Sequence, residues 1–142
     1  MLKRLIFILL IISLSTVLLG CTSASPSQTA PKTPEPREVV DRFLTAISSG
    51  NYEEAWNLQS QNLKEQATLE DFKNSLEQYK KYFGVSKQTW EITEQIVEGE
   101  TARVKFILNT YFQGGASAIR EGQYILKMEK GNWKIDQLQE TP

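Results

Sequence analysis

The spacing of apolar residues changes once along this chain, and that change limits the fold more than any other feature. From Val39 to Phe83 the large apolar residues recur at intervals of three and four; from Val85 onward they fall at alternate positions. The first period belongs to helices with one buried face, the second to half-buried strands. Helices followed by strands in 142 residues describe one α+β domain rather than alternating β-α-β units. The prolines agree: four lie at 26, 31, 34 and 36, the fifth is Pro142, and none falls between. Proline is excluded from helix interiors and central strands. The domain is therefore expected over residues 37–140.

Within it, Val39, Val40, Phe43, Leu44 and Ile47 form the stripe of a first helix that ends at Ser48-Ser49-Gly50. Asn51, with Glu54 three residues on, caps a short second helix presenting Tyr52, Ala55, Trp56 and Leu58. Leu63 is expected in a turn. Thr68 and Asp71 open a third helix whose stripe is Leu69, Phe72, Leu76, Tyr79 and Phe83, with Gly84 as its stop. Four strands follow. Trp90, Ile92 and Ile96 share one face of the first; Ala102, Val104, Phe106 and Leu108 that of the second; Tyr124, Leu126 and Met128 that of the third. Glu98-Gly99-Glu100, Gln113-Gly114-Gly115-Ala116 and Lys130-Gly131-Asn132 supply the turns, and Trp133 and Ile135 open the last strand. The expectation is three helices packed on a four-stranded antiparallel sheet.

The amino terminus has its own logic. Met1-Leu2-Lys3-Arg4 is a short basic start, Leu5–Leu19 is apolar but for Ser13, Ser15 and Thr16, and Leu18-Leu19-Gly20-Cys21 closes the segment. The apolar run is shorter than the roughly 20 residues of a spanning helix and has the form of a signal sequence. Its end resembles the lipobox of bacterial lipoproteins. That resemblance implies cleavage between Gly20 and Cys21, a diacylglycerol on the Cys21 thiol, and attachment to the outer face of the cell membrane. Residues 1–20 are then the signal peptide. Residues 21–36 are the lipidated cysteine and a tether of Ser, Thr, Pro and Ala that cannot bury enough surface to order itself. Fifteen extended residues reach about 50 Å, so the domain stays near the lipid surface.

Composition narrows the chemistry. There is no histidine, and Cys21 is the sole cysteine, so histidine-based triads, His-ligated zinc and internal disulfides are excluded. The chain has 16 basic and 17 acidic residues; losing Lys3 and Arg4 with the signal leaves 14 against 17. A mildly acidic chain without a basic cluster argues against nucleic acid as a partner. No metal and no cofactor are expected.

Two stretches carry a second resemblance. SSGNYEEAWNLQSQNLKE and MEKGNWKIDQL look like the early helices and the last hairpin of the nuclear transport factor 2-like (cystatin-like) superfamily. The resemblance implies a curved sheet wrapped around a long helix, a cone whose open end offers a pocket. Enzymes of that superfamily place an acid or histidine inside the cone. Here Asp41, Asp71 and Asp136 all read as outward-facing. Glu94, in register with Trp90 and Ile92, and Glu121, beside Arg120, are the better candidates; a strand end or bulge would turn either to solvent. The aromatic residues Tyr52, Trp56, Tyr79, Tyr82, Trp90, Tyr111, Phe112 and Tyr124 serve equally as core or as a ligand wall. The candidate pocket is thus Tyr52, Trp56, Glu94, Tyr111 and Glu121, with no catalytic residue assigned. The expected function is a non-catalytic module of the cell envelope, anchored in the membrane and binding a small hydrophobic ligand or an envelope protein. The alternatives are an isomerase- or dehydratase-like enzyme and a docking subunit of an envelope complex.

Overall fold

The computed structural model describes residues 33–140, so the signal, Gly20, Cys21 and most of the tether lie outside the described residues. Four helices come first: α1 (Pro36–Ser49), α2 (Tyr52–Asn57), α3 (Gln61–Gln66) and α4 (Leu69–Tyr82). Four strands follow: β1 (Val85–Glu98), β2 (Thr101–Phe112), β3 (Ser117–Glu129) and β4 (Asn132–Glu140). They form one antiparallel sheet in sequence order. The α+β class is as expected. The turn expected around Leu63 is the helix α3, because the Ser60 hydroxyl accepts from the Leu63 amide and starts it. Among the described residues no helix is long and apolar enough to cross a membrane.

Helix α1 is the central packing element. Pro36 occupies its first turn, and the Glu38 carboxylate accepts from the Glu35 amide at 2.9 Å. Gln95, reaching over from β1, accepts from the Arg37 amide at 2.8 Å. At the other end Gly50 takes a left-handed conformation, φ 79°, and the Asn51 amide returns to the Ala46 carbonyl. Between these caps Val39, Val40, Phe43 and Leu44 are buried against Val104, Phe106, Tyr124, Leu126 and Ile135 of the sheet. Each such side chain contributes about 1.5–3 kcal/mol of burial.

Two bulges decide which side chains reach that core. In β1, Ile92 pairs with Phe106 and Glu94 with Lys105, so Thr93 is an extra residue. The alternation flips there: Gln95 joins the inward set, and Glu94 and Ile96 move outward. In β4, Ile135 pairs with Leu126 and Gln137 with Ile125, which leaves Asp136 as the extra residue. The edge of β4 is covered beside it, since Ile135 donates to the Leu58 carbonyl and accepts from the Ser60 amide. Asp136, expected on the solvated face, is consequently only 8 % exposed. It accepts from Ser60 at 2.8 Å and Asn62 at 3.4 Å and pairs with Lys127 at 2.7 Å.

The stripe of α4 behaves differently from that of α1. Leu69, Phe72, Leu76 and Tyr79 are half-buried, and Phe83 is exposed. Phe72 packs on Trp56, but Leu76 and Tyr79 face open volume between α4 and the sheet.

Candidate functional site

That open volume is a cavity of about 830 Å³ bounded by α1, α4 and the inner face of the sheet. Leu44 and Ile47 come from α1, Leu76 and Tyr79 from α4, Trp90, Phe106 and Leu108 from β1 and β2. Ile119 and Leu138, 70 % and 52 % exposed, stand at the mouth. The volume lies within the roughly 300–1,000 Å³ of small-molecule pockets, and a largely apolar wall with a few polar groups is their usual composition.

The floor follows from strand period. Arg120, Gly122 and Tyr124 occupy alternate positions of β3 and pair with Leu108, Phe106 and Val104, so the three share the inner face. Gly122 has no side chain to fill the floor, and the Phe106 ring lies over it: a β-carbon there would meet Phe106 Cζ at 2.9 Å. Phe106 in turn stacks on Tyr124, ring centroids 5.0 Å apart, while Phe43 meets Tyr124 edge-on at 5.3 Å. Tyr124 is 7 % exposed, and its hydroxyl has no hydrogen-bond partner among the described residues. No sealed side-chain oxygen or nitrogen there lacks a partner, so this hydroxyl opens onto the cavity. Burial pushes the Tyr124 phenol well above the ordinary tyrosine range.

The other polar groups at the cavity are partly committed. Trp90 donates its indole N–H to Asp41 at 2.9 Å, which fixes the ring against α1. The Gln88 amide donates to Thr110 at 3.4 Å.

The residues singled out from sequence are scattered by the fold. Glu121 borders the cavity, but its register partner is Ile107 of the outward set, and its side chain is exposed. Glu94 is turned outward by the Thr93 bulge and pairs with Lys105; its expected place beside Trp90 is not found. Tyr52 lies beneath the Lys80 ammonium, 5.4 Å from its ring centre, and Lys80 donates to the Ile47 and Ser48 carbonyls. Tyr52 thus belongs to a clamp joining α1, α2 and α4. Trp56 packs on Phe72. Tyr111 lies on the outer face near the end of β2, with Lys87 5.9 Å from its ring. None of these four lines the cavity. Of the wider aromatic set, Tyr79, Trp90 and Tyr124 do. Arg120 and Gly122 were missed, although continuing the alternation of β3 back from Tyr124 points to both. Among the described residues no group of three or more Asp, Glu, His or Cys side chains is placed to hold a metal.

The architecture matches that of solved proteins far removed in sequence. A SEC-C motif-containing protein of Rhodopseudomonas palustris superposes with a TM-score of 0.62 at 11 % identity, over 75 % of this chain and 79 % of that one. An NTF-2 like protein of unknown function from Shewanella oneidensis gives 0.50 at 13 %, over 70 % and 89 %. The fold is nuclear transport factor 2-like. A third protein of similar structure, TerC, determined after co-crystallisation with polyporic acid, gives 0.53 at 10 %, over 74 % and 90 %. No protein-family model and no curated protein sequence matches the chain. Identities this low carry the nuclear transport factor 2-like fold and nothing about activity.

Proposed function

We propose that this chain is a lipoprotein of the bacterial cell envelope whose nuclear transport factor 2-like domain binds a small, mainly apolar molecule without transforming it. The observation that carries the binding half is the cavity of about 830 Å³ under α4, with apolar walls and a hydroxyl opening into it. That TerC, of similar structure, was co-crystallised with polyporic acid fits this reading. An isomerase- or dehydratase-like enzyme would want a desolvated carboxylate in the cavity. Among the described side chains the acid bordering it, Glu121, is exposed, so the binding reading draws more support. The envelope half rests on Leu18-Leu19-Gly20-Cys21 and the proline-rich tether.

Equilibrium dialysis of radiolabelled naphthalene against the full chain in lipid nanodiscs, with empty discs as the blank, tests the binding half. Saturable uptake is expected, and it should be lost in Leu108→Trp and Ile47→Phe, which fill the cavity from two sides. Uptake unchanged in both folded variants would sink the reading. For the anchor, labelled palmitate should enter the wild-type chain in bacteria and not Cys21→Ser; equal labelling of the two would refute it.

A further inference from the structure

A tyrosine buried to this degree is an uncommon choice for a wall that could be wholly apolar. Phenylalanine at position 124 would keep the stack on Phe106 and the edge contact with Phe43. The hydroxyl adds only a polar group that no described residue bonds and that, opening onto the cavity, is left to water or to a ligand. Its position is also constrained. The ring is gripped on two sides by aromatic neighbours, so the oxygen cannot swing to bulk solvent without breaking the core. Next to it Gly122 contributes no side chain and the buried Phe106 ring takes that place, which leaves a smooth apolar floor. A fixed donor beside a smooth apolar floor is a two-point template: one point for an acceptor oxygen, the other for a flat apolar body.

We propose that the cavity selects flat, apolar molecules bearing a hydrogen-bond-accepting oxygen, such as an aryl ketone or ester, with the Tyr124 hydroxyl donating to that oxygen while the body lies over Phe106 and Gly122. The inference rests on the ligand-binding reading above and adds the class of ligand. No bond is made or broken; Tyr124 is a specificity-determining contact.

The test uses two probes of nearly equal shape, 2-acetonaphthone and 2-ethylnaphthalene, which differ in the carbonyl oxygen. Affinities are measured by equilibrium dialysis on the full chain in nanodiscs, for wild type and Tyr124→Phe, with unfolding midpoints confirming that the variant is folded. Tyr124→Phe should weaken 2-acetonaphthone about three- to tenfold, the worth of one neutral hydrogen bond, and leave 2-ethylnaphthalene unchanged. An infrared readout is independent of affinity: the carbonyl band of bound 2-acetonaphthone should shift to lower frequency in wild type and not in the variant. Binding of both probes with no selective loss in Tyr124→Phe and no band shift overturns this proposal and leaves the apolar-cavity reading standing. If neither probe binds the wild-type chain up to its solubility limit, both fall together.

Discussion

Ser60 donates its hydroxyl to Asp136 across 2.8 Å, joining residues 76 positions apart and fixing the start of α3 to the bulge of β4. The same carboxylate pairs with Lys127 and accepts from Asn62. Burial pushes the Asp136 carboxyl up, but Lys127, Ser60 and Asn62 together outweigh burial and hold it below the usual carboxylate range. A depressed acid contributes stability that is present above its unfolded pKa and is lost as pH falls through the folded value. Asp136→Asn should therefore cost about 1–3 kcal/mol at neutral pH. The difference should begin to shrink below about pH 4, near the unfolded carboxyl value, and disappear only as pH falls on through the lower folded value. Urea unfolding at a series of pH values checks it; a constant gap down to strong acid would contradict the linkage.

Gly122 and Phe106 set the floor of the cavity. Gly122→Ala would place a methyl within 2.9 Å of Phe106 Cζ and force the ring off its stack with Tyr124. Overpacking of this kind costs about 1–3 kcal/mol. Phe106→Leu in the same chain should recover part of that loss, because the smaller side chain makes room. Chemical denaturation of the two single variants and the double variant measures the coupling; strictly additive losses would mean the two sites do not meet.

Lys80 holds α4 over the cavity. Its ammonium donates to the Ile47 carbonyl at 2.6 Å, at the end of α1 where the helix dipole favours a cation. Lys80→Met should cost about 1 kcal/mol and speed hydrogen exchange in α4 more than in β2 or β3. Uniform acceleration across the domain would instead mean that the residue contributes to global stability without a particular role at the cover.

Glu94 should prove dispensable. It pairs with Lys105 on the outer face with both side chains about half exposed, and such pairs contribute about 0–1 kcal/mol. Glu94→Gln is expected to lower the unfolding midpoint by no more than about 4–8 °C and to leave ligand affinity unchanged. A large loss of binding would return this carboxylate to the site.

Period and punctuation made the order of elements readable without coordinates. The stripe Val39–Ile47 and the stop at Gly50 are local facts, and local facts survive folding. The cap at Thr68 and the turn at Lys130-Gly131 are legible for the same reason. Reading failed where the backbone inserts one residue. A strand period of two carries no marker for an extra residue, so nothing in the run around Thr93 announces that Glu94 faces solvent and Gln95 faces α1. The same holds for Asp136, whose burial depends on Ser60 arriving from a distant part of the chain.

The candidate site was legible only in part, and for a related reason. Aromatic residues are frequent in cores, so Tyr52, Trp56 and Tyr124 cannot be told apart by spacing; which one meets empty space depends on how far α4 stands from the sheet. Local backbone preference and apolar rhythm, which act between neighbours, were enough to set the class of fold. Strand register, the cavity, and the exposure of the Tyr124 hydroxyl arise from contacts between residues far apart in sequence, and only the tertiary structure decided them.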